Sequence, residues 1–153
     1  MSDSCELEVN SPFKAHLIKE LYRDRSDLKL ASPRARYPFW DKEWEDQFPL
    51  DSDNCSLCLK FQEKIVGHAA IITSAEDIYI CYVIIDEKYR KQGLGKKMIQ
   101  LIEEFCRLNY PHKELFLNVS KDNVIAIKLY EDLGYSTFDD SDDKYRMVKK
   151  LKR

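Results

Sequence analysis

Nothing in the 153-residue sequence approaches the roughly 18–20 consecutive apolar residues that a bilayer-spanning helix needs. The N-terminal segment M-S-D-S-C-E-L-E-V-N also lacks the basic and then hydrophobic region of a secretory signal. The expectation is a cytoplasmic protein with no membrane partner. Excess charge of either sign is missing too, since 25 Lys+Arg stand against 27 Asp+Glu, a net charge of −2 with histidines neutral. A protein that held nucleic acid chiefly by neutralising phosphates would be strongly basic, so no nucleic-acid partner is expected. The five cysteines, Cys5, Cys55, Cys58, Cys81 and Cys106, are odd in number and scattered, which is no disulfide framework. Cys55 and Cys58 form a C-x-x-C, but no second pair or H-x3-H follows to complete a closed zinc site, so no metal is expected. Internal repeats and low-complexity tracts are absent.

What is present suits one ordinary domain spanning residues 1–153, with 44% hydrophobic residues for a core and 34% charged residues for a solvated surface. Phe13, Leu17, Ile18, Leu21 and Leu28 recur at helical spacing and predict a first helix from Ser11 to about Asp27, with Ser11-Pro12 as cap and first turn. Residues 31–53 carry three prolines, several aromatics and six acids, and read as loop with a short helix near 41–47. Strand-like runs follow at 56–61 and 65–73, joined by a hairpin-length Gln62-Glu63-Lys64, and at 78–85, nearly all apolar as in a central strand. Leu94, Met98, Leu101, Ile102, Phe105 and Leu108 predict an amphipathic helix ended by Pro111. A strand at 114–119, a helix from Val124 to Leu133 closed by Gly134, and a strand pair at 135–138 and 145–151 complete a mixed α/β chain. The residues Lys149, Lys150, Lys152 and Arg153 read as a charged strand end and tail.

The segment Arg90-Lys91-Gln92-Gly93-Leu94-Gly95 joins a buried strand to a helix N-terminus, where unpaired backbone N–H groups and the helix dipole favour an anion. Arg90, Lys91, Lys96 and Lys97 surround it, and cations in a first helical turn cost about 0.3–1 kcal/mol each unless something negative is present. A bound phosphate would resolve the conflict; solvated lysines beside a glycine turn are the plain alternative. A P-loop is excluded because its first glycine and following Ser/Thr are missing, and a dinucleotide fingerprint because Met98 stands where the third glycine belongs.

Together, R-x-x-G-x-G at 90–95 and V-x-x-x-N-x-x-A-x-x-x-Y-x-x-x-G-[FY] from Val119 to Tyr135 resemble the GNAT superfamily of acetyl-CoA-dependent N-acetyltransferases, in that family's order and separation. The resemblance implies a central, mostly antiparallel sheet flanked by helices, and acetyl-CoA as cosubstrate. It implies that the backbone of Lys91, Gln92, Gly93, Leu94, Gly95 and Lys96 binds pyrophosphate, with Arg90 opening the motif. It further implies that the strand before the loop splays from its neighbour and offers main-chain groups of Val83, Ile84 and Ile85 to the pantetheine and acetyl carbonyl. Asn123 matches the asparagine that approaches the cofactor and equally suits a helix N-cap. Tyr130 matches the tyrosine that protonates departing CoA thiolate and is the candidate general acid; core packing is its alternative role.

Acyl transfer needs a neutral amine, and deprotonating an ammonium of pKa near 10.4 costs roughly 4–5 kcal/mol at pH 7. Some relatives place a glutamate where this chain has Tyr79, a poor base, so a water chain near Tyr79, Glu76 or His68 is the expected route. His68 otherwise suits a satisfied strand position. Residues 41–53 carry a local charge of −5 and Asp139–Asp143 holds four aspartates, and in the resembled fold both border the acceptor mouth. Acidic walls favour a cationic acceptor: a polyamine, an aminoglycoside-like amine or a basic peptide. Trp40, Glu43, Trp44 and Tyr79 are candidate acceptor-binding residues, the indoles through cation–π contact. The expected function is N-acetylation of a primary amine by direct attack in a ternary complex; a non-catalytic acetyl-CoA sensor is the alternative. The resemblance also leaves room for a homodimer built through the C-terminal strands.

Overall fold

The computed structural model describes residues 4–152, so Arg153 of the expected tail lies outside the described residues. Seven strands form one sheet: β1 (Cys5–Val9), β2 (Cys55–Phe61), β3 (Lys64–Ser74), β4 (Asp77–Ile85), β5 (Glu114–Ser120), β6 (Ser136–Asp140) and β7 (Lys144–Lys150). Their spatial order is β1-β2-β3-β4-β5-β7-β6. Every neighbouring pair is antiparallel except β4 and β5. The helices are α1 (Arg25–Ala31), α2 (Asp41–Glu45), α3 (Leu94–Asn109) and α4 (Val124–Asp132). This is the mixed, mostly antiparallel α/β fold that the resemblance implied.

The predicted elements from β2 onward form within a residue or two of their expected ends. Gln62 and Glu63 both take positive φ, 52° and 68°, which is the backbone of a two-residue hairpin turn matched to strand twist. The first helix is the exception: the chain makes two short 3-10 turns, Ala15–Leu17 and Lys19–Tyr22, before α1. Asn10 explains the break, because its Oδ1 accepts from Lys14 N at 3.0 Å and its Nδ2 donates to Lys14 O at 3.3 Å. A side chain thus takes the backbone groups that would have begun a helix. Asp24 then caps α1 by accepting from Asp27 N at 3.0 Å. β1 was not anticipated; it pairs along the sheet edge from Cys5↔Phe61 to Val9↔Leu57.

The sheet separates two apolar layers. On one face α3 and α4 cover it, with Met98, Ile99 and Ile102 fully buried against Leu57, Val66 and Leu117. On the other, the 3-10 turns, α1 and α2 bring Ile18, Tyr22, Leu28 and Trp44 against Cys58 and Ile84. Each fully buried aliphatic or aromatic side chain contributes roughly 1.5–3 kcal/mol.

One residue in β4 changes which layer its side chains enter. Ile78 and Ile80 belong to the α3 layer, yet past Tyr82 it is Val83 and Ile85 that face it, while Tyr82 and Ile84 turn to the other side. The register accounts for this: His68 pairs with Ile84 but Ala70 with Cys81, so β4 carries one extra residue opposite Ala69. Tyr82 takes φ 59° at that bulge. Beside it, Gly67 lets β3, β4 and α3 close together: a Cβ there would stand 2.8 Å from Ile85 Cδ1, 3.1 Å from Ile84 O and 3.2 Å from Met98 Sδ. Gly67→Ala is therefore expected to cost about 1–3 kcal/mol through overpacking. In thermal melts this should lower Tm by several degrees, and an unchanged Tm would contradict so tight a contact.

Candidate active site

The loop after β4 is shaped by two left-handed residues, Lys91 at φ 65° and Gly93 at φ 80°, the second serving as N-cap of α3. The first main-chain bond into the helix runs from Lys97 N to Gly93 O at 3.1 Å. The amides of Gln92 through Lys96 have no acceptor among the described residues and point from the start of a 16-residue helix with no acid in its first turn. Lys91, Lys96 and Lys97 are exposed and have no carboxylate partner among the described residues. Gly95 sits close to both flanking elements, its Cβ position 3.5 Å from Leu129 Cδ2 and 3.9 Å from Ile85 Cγ1. Donors, positive charge and open backbone thus converge at one helix start, an arrangement whose chemistry suits an anion.

Arg90 is a brace rather than a free cation. Its Nε donates to Ile85 O at 2.8 Å and its Nη2 to Asp27 Oδ2 at 2.9 Å, tying the loop to the end of β4 and to α1.

β4 and β5 pair only at Tyr79↔Phe116 and Ile80↔Leu117, then separate. Val83, Ile84 and Ile85 consequently lie beyond the paired stretch, with β3 alone beside them, and the cleft leads to the glycine loop. Tyr130 of α4 belongs to the same apolar layer, 4% exposed, and its hydroxyl has no hydrogen-bond partner among the described residues. Burial, and then the nearby Cys81, push its pKa well above the ordinary tyrosine value, so the phenol stays protonated and able to donate. Cys81 on β4 is itself pushed up to about 12 by burial, which keeps it a thiol at neutral pH. Asn123 is the N-cap of α4, its Oδ1 accepting from Ala126 N at 3.3 Å.

The candidate acceptor residues are dispersed. Trp40 is 45% exposed and carries Arg36 over its ring at 4.4 Å. Glu43 accepts from Arg36 N at 3.0 Å. Trp44 corrects the expected rim position: it is 1% exposed, stacked with Phe39 and tilted against Tyr22, so the five-residue α2 turns this indole into the core. Tyr79 accepts from Arg146 Nη2 at 2.9 Å and packs against Phe116. Glu76 is exposed in the turn between β3 and β4. Part of the acidic charge is neutralised locally by Lys19–Asp41, Lys42–Asp46, Lys121–Asp140 and Arg146–Asp139 pairs.

Residues 16–135 match the sequence profile of the Acetyltransferase (GNAT) family. The chain belongs to this family. It is 33% identical over 58 residues to spermine/spermidine N(1)-acetyltransferase of Bacillus subtilis (strain 168), an alignment spanning 38% of this chain and 38% of that relative. Its fold is similar to that of spermidine N-acetyltransferase from Vibrio cholerae, solved with CoA and spermine, with TM-score 0.76, 15% identity and coverage of 96% of this chain and 95% of that one. It is also similar to N-acetyltransferase PseH from Campylobacter jejuni, solved with acetyl coenzyme A, with TM-score 0.74, 16% identity and coverage of 97% and 100%. Within this GNAT chain Tyr130 and Leu94 share the apolar layer against which Val83 and Ile85 pack, whereas Trp44 belongs to the layer on the other face of the sheet.

Sequence reasoning did not find the polar chain that runs through the second core. Tyr22 Oη donates to Tyr82 O at 2.6 Å and lies 2.7 Å from His68 Nδ1, while His68 Nε2 lies 2.8 Å from Ser56 Oγ, to which Asn10 Nδ2 donates at 3.2 Å. One proton arrangement satisfies every group: Asn10 to Ser56, Ser56 to His68 Nε2, His68 Nδ1–H to Tyr22, and Tyr22 to the Tyr82 carbonyl. His68 is fully buried and pushed down to about 3 by desolvation, which removes it as a base. Bonded partners in this chain are 12 to 60 positions apart in sequence and carry no shared local pattern.

The depressed histidine predicts a pH dependence of stability. Between its ordinary value of 6.5 and about 3, the unfolded chain binds a proton that the native protein refuses. The contribution of neutral His68 is therefore complete above pH 6.5 and declines as pH falls, by up to ~1.4 kcal/mol per unit. His68→Gln should be less stable near neutrality yet show a flatter decline between pH 6.5 and roughly pH 5, above most carboxylate titration. Equal slopes in urea titrations would contradict a buried neutral imidazole.

Proposed function

We propose that this protein is an acetyl-CoA-dependent N-acetyltransferase acting on a primary amine, with a cationic amine such as a polyamine as acceptor, and that residues 1–153 act as one catalytic domain. The observation that carries this reading is the divergence of β4 from β5 beyond Ile80, with the amide-rich N-terminus of α3 following the strand so released. Amides of Gln92–Lys96, with Lys91, Lys96 and Lys97, hold the pyrophosphate. Main-chain groups of Val83–Ile85 orient the thioester and polarise its carbonyl, and the Asn123 amide nitrogen faces the cofactor while its oxygen caps α4.

The amine nitrogen attacks the acetyl carbon, the C–S bond breaks, the thiolate takes a proton from Tyr130, and the proton shed by the new amide nitrogen returns through water to the tyrosinate. His68 is locked and pushed down to about 3 and Tyr79 is engaged by Arg146, so in this reading neither is the direct base and the ammonium proton leaves through water. Burial of Cys81 as a thiol favours direct attack over an acetyl-cysteine intermediate. The family match and the polyamine acetyltransferases among similar proteins support the reaction class and a small amine acceptor. Exposed acids on and after α2, such as Glu45 and Asp51, support a cationic one.

A second reading has one observation in its favour: Tyr79, held by Arg146, stands where a strand carboxylate would assist proton removal. On that reading the protein binds acetyl-CoA as a sensor without turning it over.

Thiol release from acetyl-CoA, measured with spermine, spermidine, aminoglycosides, lysine-rich peptides and neutral peptides, separates these readings. Turnover is expected on the polycations, with kcat in Tyr130→Phe lower by about 100-fold and KM for acetyl-CoA little changed. Turnover only on neutral peptides would overturn the cationic acceptor. A wild-type rate in Tyr130→Phe would overturn its acid role, and binding without turnover on any amine would favour the sensor.

A further inference from the structure

The β4 bulge leaves a main-chain carbonyl that the sheet does not use, and a side chain from another layer takes it. Tyr82 O accepts from Tyr22 Oη at 2.6 Å, across 60 residues of sequence. Tyr22 is itself fully buried, with Phe39 and Trp44 rings against it, and is oriented from behind by His68 on β3. The Tyr82 side chain is gripped separately, its hydroxyl donating to Gln47 Oε1 just beyond α2. The extra residue therefore has a fixed conformation, and the residues that follow it, Val83–Ile85, are those assigned above to the thioester.

We propose that Tyr22 is a positioning residue for the acyl-donor strand: its hydroxyl latches the Tyr82 carbonyl and so sets the direction in which Val83–Ile85 present their main-chain groups. This role deepens the acetyltransferase reading and rests on it. Tyr22 does not touch the cleft; it acts through the backbone of β4. Without the latch the left-handed Tyr82 is held only through its side chain, and a non-glycine residue at φ 59° is strained unless its surroundings hold it. Ser56 provides the matched control. It belongs to the same buried polar chain, yet its hydroxyl bonds to His68 and Asn10 and not to β4.

The test compares Tyr22→Phe with Ser56→Ala by hydrogen exchange of the amides between residues 82 and 86 and by calorimetric titration with acetyl-CoA. Tyr22→Phe should speed exchange in that segment and raise the acetyl-CoA Kd about tenfold while leaving the acceptor KM within about twofold. Ser56→Ala should lower Tm without either change. Overturning results are wild-type exchange and affinity in Tyr22→Phe, or equal changes in both variants, which would mark a merely structural role. Wild-type protein that binds no acetyl-CoA would overturn the acetyltransferase reading, and the exchange comparison alone would then decide whether Tyr22 holds the strand. Should Tyr22→Phe not fold, the unsubstituted protein carries the test. Its Tyr22 hydroxyl proton and the 82–86 amides should open in one event across a denaturant series, and a hydroxyl that exchanges while the strand stays closed would overturn the latch.

Discussion

One additional residue in β4, opposite Ala69, is the constraint from which the candidate site follows. It exchanges the faces of the strand, so that Ile84 enters the α2 layer while Val83 and Ile85 remain against α3. It also accompanies the end of pairing with β5, which turns a continuous sheet into a cleft with main-chain groups along one wall. A regular strand here would have continued the ladder and left no opening between β4 and β5. The bulge is a local departure from ideal geometry, and the surrounding structure is organised to hold it.

Two kinds of force do that holding. Packing on both faces fixes the strand from above and below, with Gly67 allowing β3, β4 and α3 to approach more closely than any side chain would permit. A polar chain through the second core then satisfies the groups that the bulge exposes, ending on the Tyr82 carbonyl. A comparable buried cluster braces the opposite layer, where Glu103 of α3 accepts from Tyr135 at 2.8 Å and pairs with Lys149 at 3.1 Å. In contrast, the mouth of the site carries unresolved electrostatic tension. Three lysines crowd a helix N-terminus that repels them, an arrangement that an anionic ligand relieves.

What could be read from residues alone was what is contiguous. The strands from β2 onward, α3, α4 and the glycine loop announce themselves through local periodicity or a short motif. The loop proposed to face the cofactor could be located for the same reason, since its amides belong to consecutive residues. Trp44 was not legible, because a five-residue helix has too few turns to reveal which side is buried. The failed first helix shows a competition that periodicity does not register: Leu17, Ile18 and Leu21 are correctly spaced, but Asn10 captures the backbone at Lys14 first. β1 escaped notice as a short edge strand with glutamates on alternate positions. The Tyr22–His68–Ser56 chain was beyond reach, since only the folded sheet brings its members together.

The measurement that bears most directly on the account is an amide chemical-shift titration of the protein with CoA. The divergence of β4 from β5 and the amide-rich start of α3 predict one contiguous set of shifted amides, Val83–Ile85 together with Gln92–Lys96. Saturable shifts concentrated in those two segments would agree with it. Shifts confined to other elements, or none at millimolar CoA, would contradict the assignment of the bulged strand and glycine loop as an acyl-CoA site.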